Sequence, residues 1–182
     1  EIIINSAWLA DVLIGALGDG SQFGVTIRWT REAEGLETAG GIINALPLLG
    51  TEPFILVNGD VWTTFDFSSL LNVNLGADLA HLVFVTNPAQ HPKGDFILAN
   101  GRSYTFEQGQ QGEALTYSGV AVINPKMFDG LDAGKRPLAP LLKDAMLDGK
   151  ISAEKMQAAW VDVGTPERLS DLDLQIRQGM YA

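Results

Sequence analysis

The feature that most constrains the fold is a repeated alternation between short apolar runs and segments of helical periodicity. The runs are rich in β-branched residues and have the length of single strands. The pattern predicts strands at residues 2–5, 25–30, 53–58 and 80–86, and helices at 7–17, 38–49 and 67–71. Ser6 and Asp66 are predicted N-caps. Strands that alternate with helices form mainly parallel sheets with helices on both faces, so we predict an α/β fold of three layers.

The second half of the chain has a different pattern. Strands are predicted at residues 95–98, 103–106 and 115–123, with glycine-containing turns between them, and these indicate an antiparallel excursion from the parallel sheet. A helix at 137–147, a strand at 156–163 and a last helix opened by Pro166 follow. The sheet is therefore expected to be mixed but mostly parallel. No repeat or low-complexity linker interrupts the chain, and we predict one domain over residues 1–182.

Composition excludes several classes of function. The chain has 22 acidic and 12 basic residues, a net charge of −10, whereas a nucleic-acid-binding surface needs a basic face. No apolar run approaches the roughly 20 residues that span a bilayer, so we expect neither a nucleic-acid nor a membrane partner. The absence of cysteine excludes disulfides, thiolate catalysis and Cys-ligated zinc. We expect a cytoplasmic location.

The chain begins inside a predicted strand. Ile2, Ile3 and Ile4 follow Glu1 directly, and three β-branched residues in a row indicate a strand buried on both faces. Because such a strand needs neighbours to cover it, we expect that a segment before Glu1 has been lost, cleaved or left out.

Two carboxylates follow predicted strands. Asn58, Gly59 and Asp60 come directly after the apolar strand at 53–58, and open α/β sheets bind ligands outside the carboxyl ends of their strands. Asp162 stands at the end of a later strand, just before a helix. Taken alone, the first motif is equally well an Asn-Gly turn, and the second is equally well an N-cap. Together, the two carboxylates predict a site for Mg²⁺ that would screen substrate phosphates.

The remaining polar motifs are less informative. The glycine-rich segment 35–41 precedes a helix, so its backbone N–H groups could bind a nucleotide or simply permit close packing. The turn at 18–24 does not match the dinucleotide-binding fingerprint. His81 is predicted to be a hydrogen-bonded residue of the sheet, and His91 a solvated residue of a polar loop.

Five motifs, in this order, resemble those of the sugar 1-phosphate nucleotidyltransferases. They are the Gly-Asp-Gly-Ser-x-Phe-Gly turn at 18–24, the Leu-x-Thr-Ala-Gly-Gly helix start at 36–41, the Asn-Gly-Asp strand end at 58–60, the Ser-Gly pair at 118–119 and the Trp-Val-Asp-Val-Gly-Thr-Pro segment at 160–166. Segments 5–9, 37–42, 57–62 and 94–96 are similar to those of the N-acetylmuramate 1-phosphate uridylyltransferases of bacterial cell-wall recycling. The resemblance implies a Rossmann-like fold of the nucleotide-diphospho-sugar transferase type.

The resemblance also implies an activity and its residues. The reaction would be Mg²⁺-dependent attack of a sugar 1-phosphate on UTP, giving a UDP-sugar and pyrophosphate. Asp60 and Asp162 would be the catalytic metal ligands, and Asp162 would also lie beside the sugar phosphate. The nucleotide would be bound by Gly35, Thr38, Gly40, Asn58 and Gly59, and the sugar by Asp95, Ser118 and Gly119. Alternatives are a thymidylyltransferase or guanylyltransferase acting on glucose or mannose 1-phosphate, and a non-catalytic module that binds sugar phosphates.

One part of the family pattern is absent from the 182 residues. The family's opening strand, its glycine-rich loop with a catalytic Arg, and its Pro-Lys-Pro segment do not occur in them. These parts bind the triphosphate and supply positive charge to the transition state. We therefore expect the fold to lack its first βα unit, and the 182 residues by themselves to be inactive.

Overall fold

A computed structural model describes residues 1–181, which form two compact units. The first consists of residues 1–52 and 125–142, and the second of residues 53–124 together with the chain from residue 143 on. No helix among the described residues is long and apolar enough to cross a membrane.

The first unit contains a β-α-β arrangement. Its elements are β1 (Ile2–Ser6), α1 (Ala10–Leu17), β2 (Ile27–Arg31) and α2 (Glu37–Leu49). The strands pair in parallel, with Ile2 opposite Ile27, and α2 packs against both of them. The parallel pair, the intervening helix and α2 agree with the alternation in the sequence.

Two details of the first unit differ from prediction. Ser6 is not an N-cap, because it is the last residue of β1 and its hydroxyl donates to the carbonyl of Thr30 at 3.2 Å. Leu9, with a positive φ of 54°, precedes α1 instead. Ile2 is 45% exposed, so β1 is not buried on both faces in the part of the chain that the structure describes.

The second unit is built on a six-stranded mixed sheet. Its strands are β3 (Phe54–Val57), β5 (Ala80–Val85), β6 (Phe96–Ala99), β7 (Arg102–Tyr104), β8 (Glu113–Ile123) and β9 (Ile151–Lys155). The order is β3-β8-β5-β9-β7-β6, and β6 pairs in addition with the start of β8. Strands β3, β5, β6 and β9 run in one direction, and β7 and β8 run in the other. The strands of the predicted antiparallel excursion are β6, β7 and β8. The sheet is mixed, as predicted, but it is not mostly parallel, because β8 pairs antiparallel with β3 and β5 and only β5 and β9 pair in parallel among these strands.

The second unit also contains a separate two-stranded sheet. It consists of β4 (Val61–Thr63) and β10 (Trp160–Asp162), which pair antiparallel. The remaining α-helices among the described residues are α3 (Leu138–Leu147) and α4 (Pro166–Arg177). The short helix predicted at 67–71 is a 3₁₀ helix at Phe67–Asn72, and its predicted cap Asp66 accepts a hydrogen bond from the Ser68 N–H.

Alternate residues of β5 and β8 contribute to a hydrophobic core cluster of the second unit. The buried members of this cluster are Leu70, Leu75, Val83, Val85, Val120, Val122 and Met156. Full burial of each such side chain stabilises a fold by about 1.5–3 kcal/mol. Trp160 and Val61 pack at its edge, so this core supports the small β4–β10 sheet that carries the two strand-end carboxylates.

The predicted strand at 156–163 is wrong in its extent. Strand β9 ends at Lys155, before the predicted strand begins, and β10 occupies only Trp160–Asp162 of the predicted range. β9 escaped prediction because its sequence is mostly polar, although Ile151 and Ala153 alternate into the core. His81 on β5 lies opposite Ser152, and the 3.0 Å contact between its Nδ1 and the Ser152 hydroxyl confirms a hydrogen-bonded sheet histidine.

Candidate active site

The structure brings Asp60 and Asp162 together through backbone pairing. In the register of β4 and β10, Asp162 lies opposite Val61, the residue after Asp60. The N–H of Val163 donates to the carbonyl of Asp60 at 2.8 Å. Two motifs that are far apart in sequence thus meet at one edge of the second unit. We call Asn58, Gly59, Asp60 and Asp162 the strand-end cluster.

Gly164 lies against the side chains of Asp60, Asp162 and Arg168. A Cβ atom at Gly164 would lie 2.9 Å from Oδ1 of Asp162, 3.1 Å from Nη2 of Arg168 and 3.2 Å from Oδ2 of Asp60, so two carboxylates and a guanidinium surround this glycine. Mg²⁺ is commonly bound by one or two carboxylates together with waters and substrate phosphates. Among the described residues no group of three or more His, Cys, Asp or Glu could hold a metal ion. The carboxylates of Asp60 and Asp162 are of the type that Mg²⁺ binds, and Arg168 supplies a positive charge beside them.

The two carboxylates differ in how firmly they are held. Oδ1 of Asp162 accepts the Gly164 N–H at 2.7 Å, and Oδ2 accepts Nη1 of Arg168 at 2.9 Å. Asp60 is exposed, and its side chain has no hydrogen-bond partner within residues 1–181. Asp162 is therefore oriented before any ligand arrives, whereas Asp60 remains available to one.

The start of α4 supports this orientation of Asp162. The hydroxyl of Thr165 accepts the Arg168 N–H at 3.3 Å, and Pro166 occupies the first turn, as predicted. The N-cap is Thr165, so the carboxylate of Asp162 is left to bind Arg168 and the loop before the helix. Capping, one of the alternatives for Asp162 in the sequence, is therefore performed by Thr165.

Gly119 couples the Asn58 motif to the Ser-Gly motif. Gly119 has a φ of 78°, and a Cβ atom there would lie 2.9 Å from Cβ, Cγ and Nδ2 of Asn58. The Asn58 N–H also donates to the carbonyl of Gly119 at 2.9 Å. Only glycine combines this left-handed backbone with room for the amide side chain. The two predicted motifs thus share one packing interaction.

Ser118 lies in an irregularity of the sheet. The register between β5 and β8 shifts after Val83, as in a β-bulge. Ser118 is fully buried, and its hydroxyl donates to the Val83 carbonyl at 2.7 Å and accepts the Val120 N–H at 3.1 Å. The hydroxyl that we predicted to contact a sugar therefore stabilises the bulge.

Two adjoining cavities border the strand-end cluster. One of about 250 Å³ is lined by Asn58, Asp60 and Asp162 together with Asp95 and Gly119. The other, of about 540 Å³, lies beside α4 and shares Trp160 and Asp162 with the first. Both volumes suit small ligands or parts of them. The structure thus gathers all the predicted sugar and metal residues of the second unit around the smaller cavity.

Three residues of these cavities were not predicted to belong to the site. His91 lies on the wall of the smaller cavity, with its Nε2 3.0 Å from Oδ1 of Asp95 and its side chain 44% exposed, so the predicted solvated loop histidine also contacts a residue of the predicted site. Its four-residue spacing from Asp95 was the available signal. Arg168 lines the larger cavity. The hydroxyl of Tyr117 is buried without a hydrogen-bond partner, and this burial raises its pKa above the usual range.

The predicted nucleotide residues Gly35, Thr38 and Gly40 lie in the first unit, where they have different environments. Gly35 and Thr38 are exposed, and nothing approaches the Cβ position of Gly35. Gly40 is buried, its N–H donates to the Arg136 carbonyl at 3.1 Å, and its Cβ position is blocked by the Gly134 carbonyl. The environment of Gly40 is one of close packing, whereas the other two residues are open to a ligand.

A carboxylate of the protein already binds at the start of α2. Oε2 of Glu32 accepts the N–H of Leu36 at 2.9 Å, and Oε1 accepts Nδ2 of Asn5 at 3.1 Å. Negative charge at a helix N-terminus is stabilised by the helix dipole. Glu37, the first residue of α2, has a φ of 60°, which is costly for a residue with a side chain. Sequence reasoning overlooked Glu32, because its partners are distant or in an irregular loop.

Comparison with known proteins identifies the family of the chain. No protein-family model matches the chain. The chain is 47% identical over 176 residues to the N-acetylmuramate alpha-1-phosphate uridylyltransferase of Neisseria meningitidis serogroup B. The matched region covers 94% of this chain and 76% of that protein. It is 27% identical to the protein of the same name from Caulobacter vibrioides, over 91% of this chain and 73% of the relative. A mannose-1-phosphate guanylyltransferase subunit of Dictyostelium discoideum is 26% identical over 80% of this chain and 43% of its own.

Solved structures with the same fold include two bacterial proteins. One from Bacillus anthracis, described as a glucose-1-phosphate thymidylyltransferase in complex with sucrose, matches with a TM-score of 0.79 and 15% identity over 97% of this chain and 76% of its own. HddC from Yersinia pseudotuberculosis, complexed with GMP-PN, matches with a TM-score of 0.75 and 22% identity over 97% and 78%. These likenesses confirm the predicted α/β fold, and the 47% identity shows the family. The chain belongs to the sugar 1-phosphate nucleotidyltransferases, in the group of the N-acetylmuramate α-1-phosphate uridylyltransferases.

Proposed function

We propose that this protein transfers the uridylyl group of UTP to N-acetylmuramate 1-phosphate in cytoplasmic cell-wall recycling. A phosphate oxygen of the sugar phosphate attacks the α-phosphorus of UTP, the bond to the β-phosphate breaks, and UDP-sugar and pyrophosphate leave. The name of the Neisseria relative supports the substrate pair. The observation that carries the proposal is the convergence of Asp60 and Asp162 beside Gly164, where the guanidinium of Arg168 also lies.

Asp60 and Asp162 are the residues that would hold a magnesium ion. Such an ion neutralises phosphate charge and aligns the attacking and leaving oxygens. Asp162 contributes a fixed oxygen, because Arg168 and the Gly164 N–H orient its carboxylate. Asp60 is exposed and unpaired within the described residues, so it can bind an ion without first breaking a contact.

The other residues of the second unit bind and orient substrate. Asn58, held against Gly119, and the exposed Gly59 are proposed to contact the nucleotide. Asp95 and Gly119, on the wall of the smaller cavity, are proposed to contact the sugar, and Ser118 supports that wall through the bulge. Since reaction depends on holding two substrates in line, this chain contributes mainly position and electrostatic stabilisation.

The first unit is proposed to contact the nucleotide through the exposed start of α2. Gly35 and Thr38 are the residues of the predicted set that a ligand can reach there. Gly40 is proposed to act through packing, since its backbone bonds to the segment at 134–136. UTP remains the favoured nucleotide on the name of the Neisseria relative.

A substrate panel tests the proposal. The full-length protein is incubated with Mg²⁺ and each combination of UTP, CTP, GTP or dTTP with N-acetylmuramate, glucose or mannose 1-phosphate, and pyrophosphate and nucleotide sugar are both measured. We expect the highest kcat/KM for UTP with N-acetylmuramate 1-phosphate. A preference for GTP with mannose 1-phosphate, or for dTTP with glucose 1-phosphate, would contradict the proposed substrate pair and favour a guanylyltransferase or a thymidylyltransferase.

Two further measurements separate the remaining alternatives. Calorimetric binding of UTP and sugar phosphate without turnover of any pair would indicate a non-catalytic binding module. The 182 residues are assayed beside the full-length protein, and turnover by them would contradict the expectation that they are inactive alone. Chelation of divalent ions with EDTA should abolish turnover, and added Mg²⁺ should restore it.

A further inference from the structure

The smaller cavity has an unusual balance of charge for a site that accepts anions. Three carboxylates line it, those of Asp60, Asp95 and Asp162, while His91 is its one basic side chain among the described residues. Arg168 lines the adjoining cavity and has its Nη1 bound to Asp162. A metal ion at Asp60 and Asp162 can offset substrate phosphate, but a further acidic group on a sugar would meet Asp95 unless His91 intervened.

The loop that carries His91 is fixed at several points. The His91 N–H donates to the Pro88 carbonyl at 2.9 Å, and the Gly94 N–H donates to the His91 carbonyl at 3.2 Å, so two consecutive turns enclose the residue. Nδ2 of Asn87 donates to the Pro92 carbonyl at 3.2 Å and ties the loop across its base. The ring of His91 is therefore presented by a constrained backbone.

The same loop is also held against β8. Nδ2 of Asn87 donates to the Ala114 carbonyl at 3.0 Å, and Oδ1 accepts the Thr116 hydroxyl at 2.9 Å. A Cβ atom on Gly94 would lie 2.6 Å from the Leu115 carbonyl oxygen, so the loop approaches the strand as closely as glycine permits. Such rigid support is typical of residues that orient a ligand.

His91 and Asp95 form a pair with one ring nitrogen left over. Oδ1 of Asp95 lies 3.0 Å from Nε2 of His91, and Oδ2 accepts the Tyr117 N–H at 2.9 Å. Both oxygens of Asp95 are thereby oriented. Nδ1 of His91 has no hydrogen-bond partner within residues 1–181, and the side chain is 44% exposed. A protonated histidine donates from both nitrogens, so one N–H serves Asp95 and the other can serve a ligand.

We propose that His91 determines specificity by binding the carboxylate of an acidic sugar 1-phosphate, an inference that rests on the proposed function. N-acetylmuramate is N-acetylglucosamine with a lactyl ether at O3, and that ether ends in a carboxylate. Nδ1–H of the His91 imidazolium donates to this carboxylate, while Nε2–H donates to Asp95. The Asp95 carboxylate keeps the ring in place and in turn repels acidic sugars that do not reach His91.

The test compares two sugars that differ only in the lactyl group. In the full-length protein, affinities for N-acetylmuramate 1-phosphate and N-acetylglucosamine 1-phosphate are measured by calorimetry, and kcat/KM values with UTP are measured in parallel. We expect the native protein to prefer the acidic sugar, and His91→Gln to reduce the preference ratio by about 10- to 100-fold, the value of a charged hydrogen bond. Lys93→Gln, which removes an exposed charge from the same loop, should leave the ratio unchanged.

The preference ratio between the two sugars distinguishes direct recognition of the carboxylate by His91 from a role of His91 in positioning other residues. His91→Arg keeps a positive donor and should retain most of the preference, which gives a second variant if His91→Gln alters the fold. An equal loss for both sugars, or a native protein without preference in binding, would overturn the inference. Because binding is measured without turnover, a protein that discriminates the sugars through His91 but transfers no uridylyl group would contradict the proposed function alone.

Discussion

Glycines that lie beside the strand-end cluster differ in role from those at the start of α2. In the second unit, Gly119 leaves room for the side chain of Asn58, and Gly164 leaves room for the carboxylates of Asp60 and Asp162. Both glycines therefore create space for polar groups that point into a cavity. Of these side chains, Asp60 has no hydrogen-bond partner among the described residues, whereas Asp162 is held by Arg168 and the Gly164 N–H.

At the start of α2, glycine permits backbone to pack against the protein itself. Gly40 lies against the carbonyl of Gly134, and a Cβ atom on Gly41 would lie 2.8 Å from Oε1 of Glu32. Oε2 of Glu32 already accepts an N–H at the helix start. Both regions contain glycines in predicted motifs, yet at Gly119 and Gly164 these lie beside polar side chains, whereas at Gly40 the glycine lies against backbone of the chain.

The difference shows that a glycine motif has to be interpreted from what occupies the space that it leaves. Where polar side chains approach that space, as at Gly164, we propose that the motif serves a ligand. Where a carbonyl of the chain fills it, as at Gly40, the motif serves packing. Substitutions in the two regions should consequently affect different measurements.

The largest expected effect is on chemistry in the strand-end cluster. Asp60→Asn or Asp162→Asn in the full-length protein should lower Mg²⁺-dependent turnover by about 10³-fold or more, because one anionic metal ligand is lost. The folded structure should be retained for Asp60→Asn, since its side chain makes no internal hydrogen bond among the described residues.

The matched control is Asp144→Asn, which changes an exposed carboxylate of α3. Steady-state rates over a range of Mg²⁺ concentrations and thermal melting of each variant provide the measurements. Near-native rates for either variant of the strand-end cluster would refute the metal role of that residue. They would also remove the functional contrast between the strand-end cluster and the start of α2.

An intermediate effect is expected on stability at the crowded glycines. Gly119→Ala should lower the free energy of unfolding by about 2–4 kcal/mol, because it adds a left-handed residue and overlaps Asn58. Gly40→Ala should cost about 1–3 kcal/mol through contact with the Gly134 carbonyl. Urea unfolding measures both.

Open glycines of the same two motifs are the controls for this prediction. Gly59→Ala and Gly35→Ala meet no atom within 4 Å, so each should change stability by less than about 1 kcal/mol. Turnover distinguishes the regions further, since Gly119→Ala should also displace Asn58. A rise in KM for UTP in Gly40→Ala without loss of stability would show ligand contact at Gly40 and would break the comparison.

The smallest effect concerns the buried hydroxyl of Tyr117 beside the cavity. Burial raises its pKa, so the folded protein keeps a proton that the unfolded chain loses above pH of about 10. This contribution to stability is present below the unfolded pKa and is lost as the pH rises. Tyr117→Phe should abolish the part of the alkaline loss of stability that comes from the Tyr117 hydroxyl.

Tyr117→Phe should also raise stability at neutral pH by about 1 kcal/mol or less, because the hydroxyl has no partner. Urea unfolding at pH 8 and 10.5 measures both effects, with Tyr104→Phe as a control at a half-buried tyrosine. Destabilisation by Tyr117→Phe would mean that the hydroxyl makes a favourable contact in solution.

Sequence reasoning located most elements but misjudged those with weak local patterns. The apolar strands around residues 54–57 and 80–85 were evident, whereas the mostly polar β9 was missed and residues 156–163 were assigned too long a strand. Ser6 was assigned as a cap because cap residues are chosen by type, while its place at the end of β1 depends on pairing with β2. Local preference is weaker than strand pairing in both cases.

The sequence by itself determined the α/β class and the family, because both depend on residue types at short spacing, and it predicted the carboxylate chemistry at the strand ends. Only the tertiary structure decided that Asp60 and Asp162 converge, that Gly119 accommodates Asn58 and that His91 pairs with Asp95 beside the cavity. Convergence depends on the register of β4 with β10, and the bulge at Ser118 depends on β5 and β8. Register is set by pairing between distant segments, so no local pattern contains it.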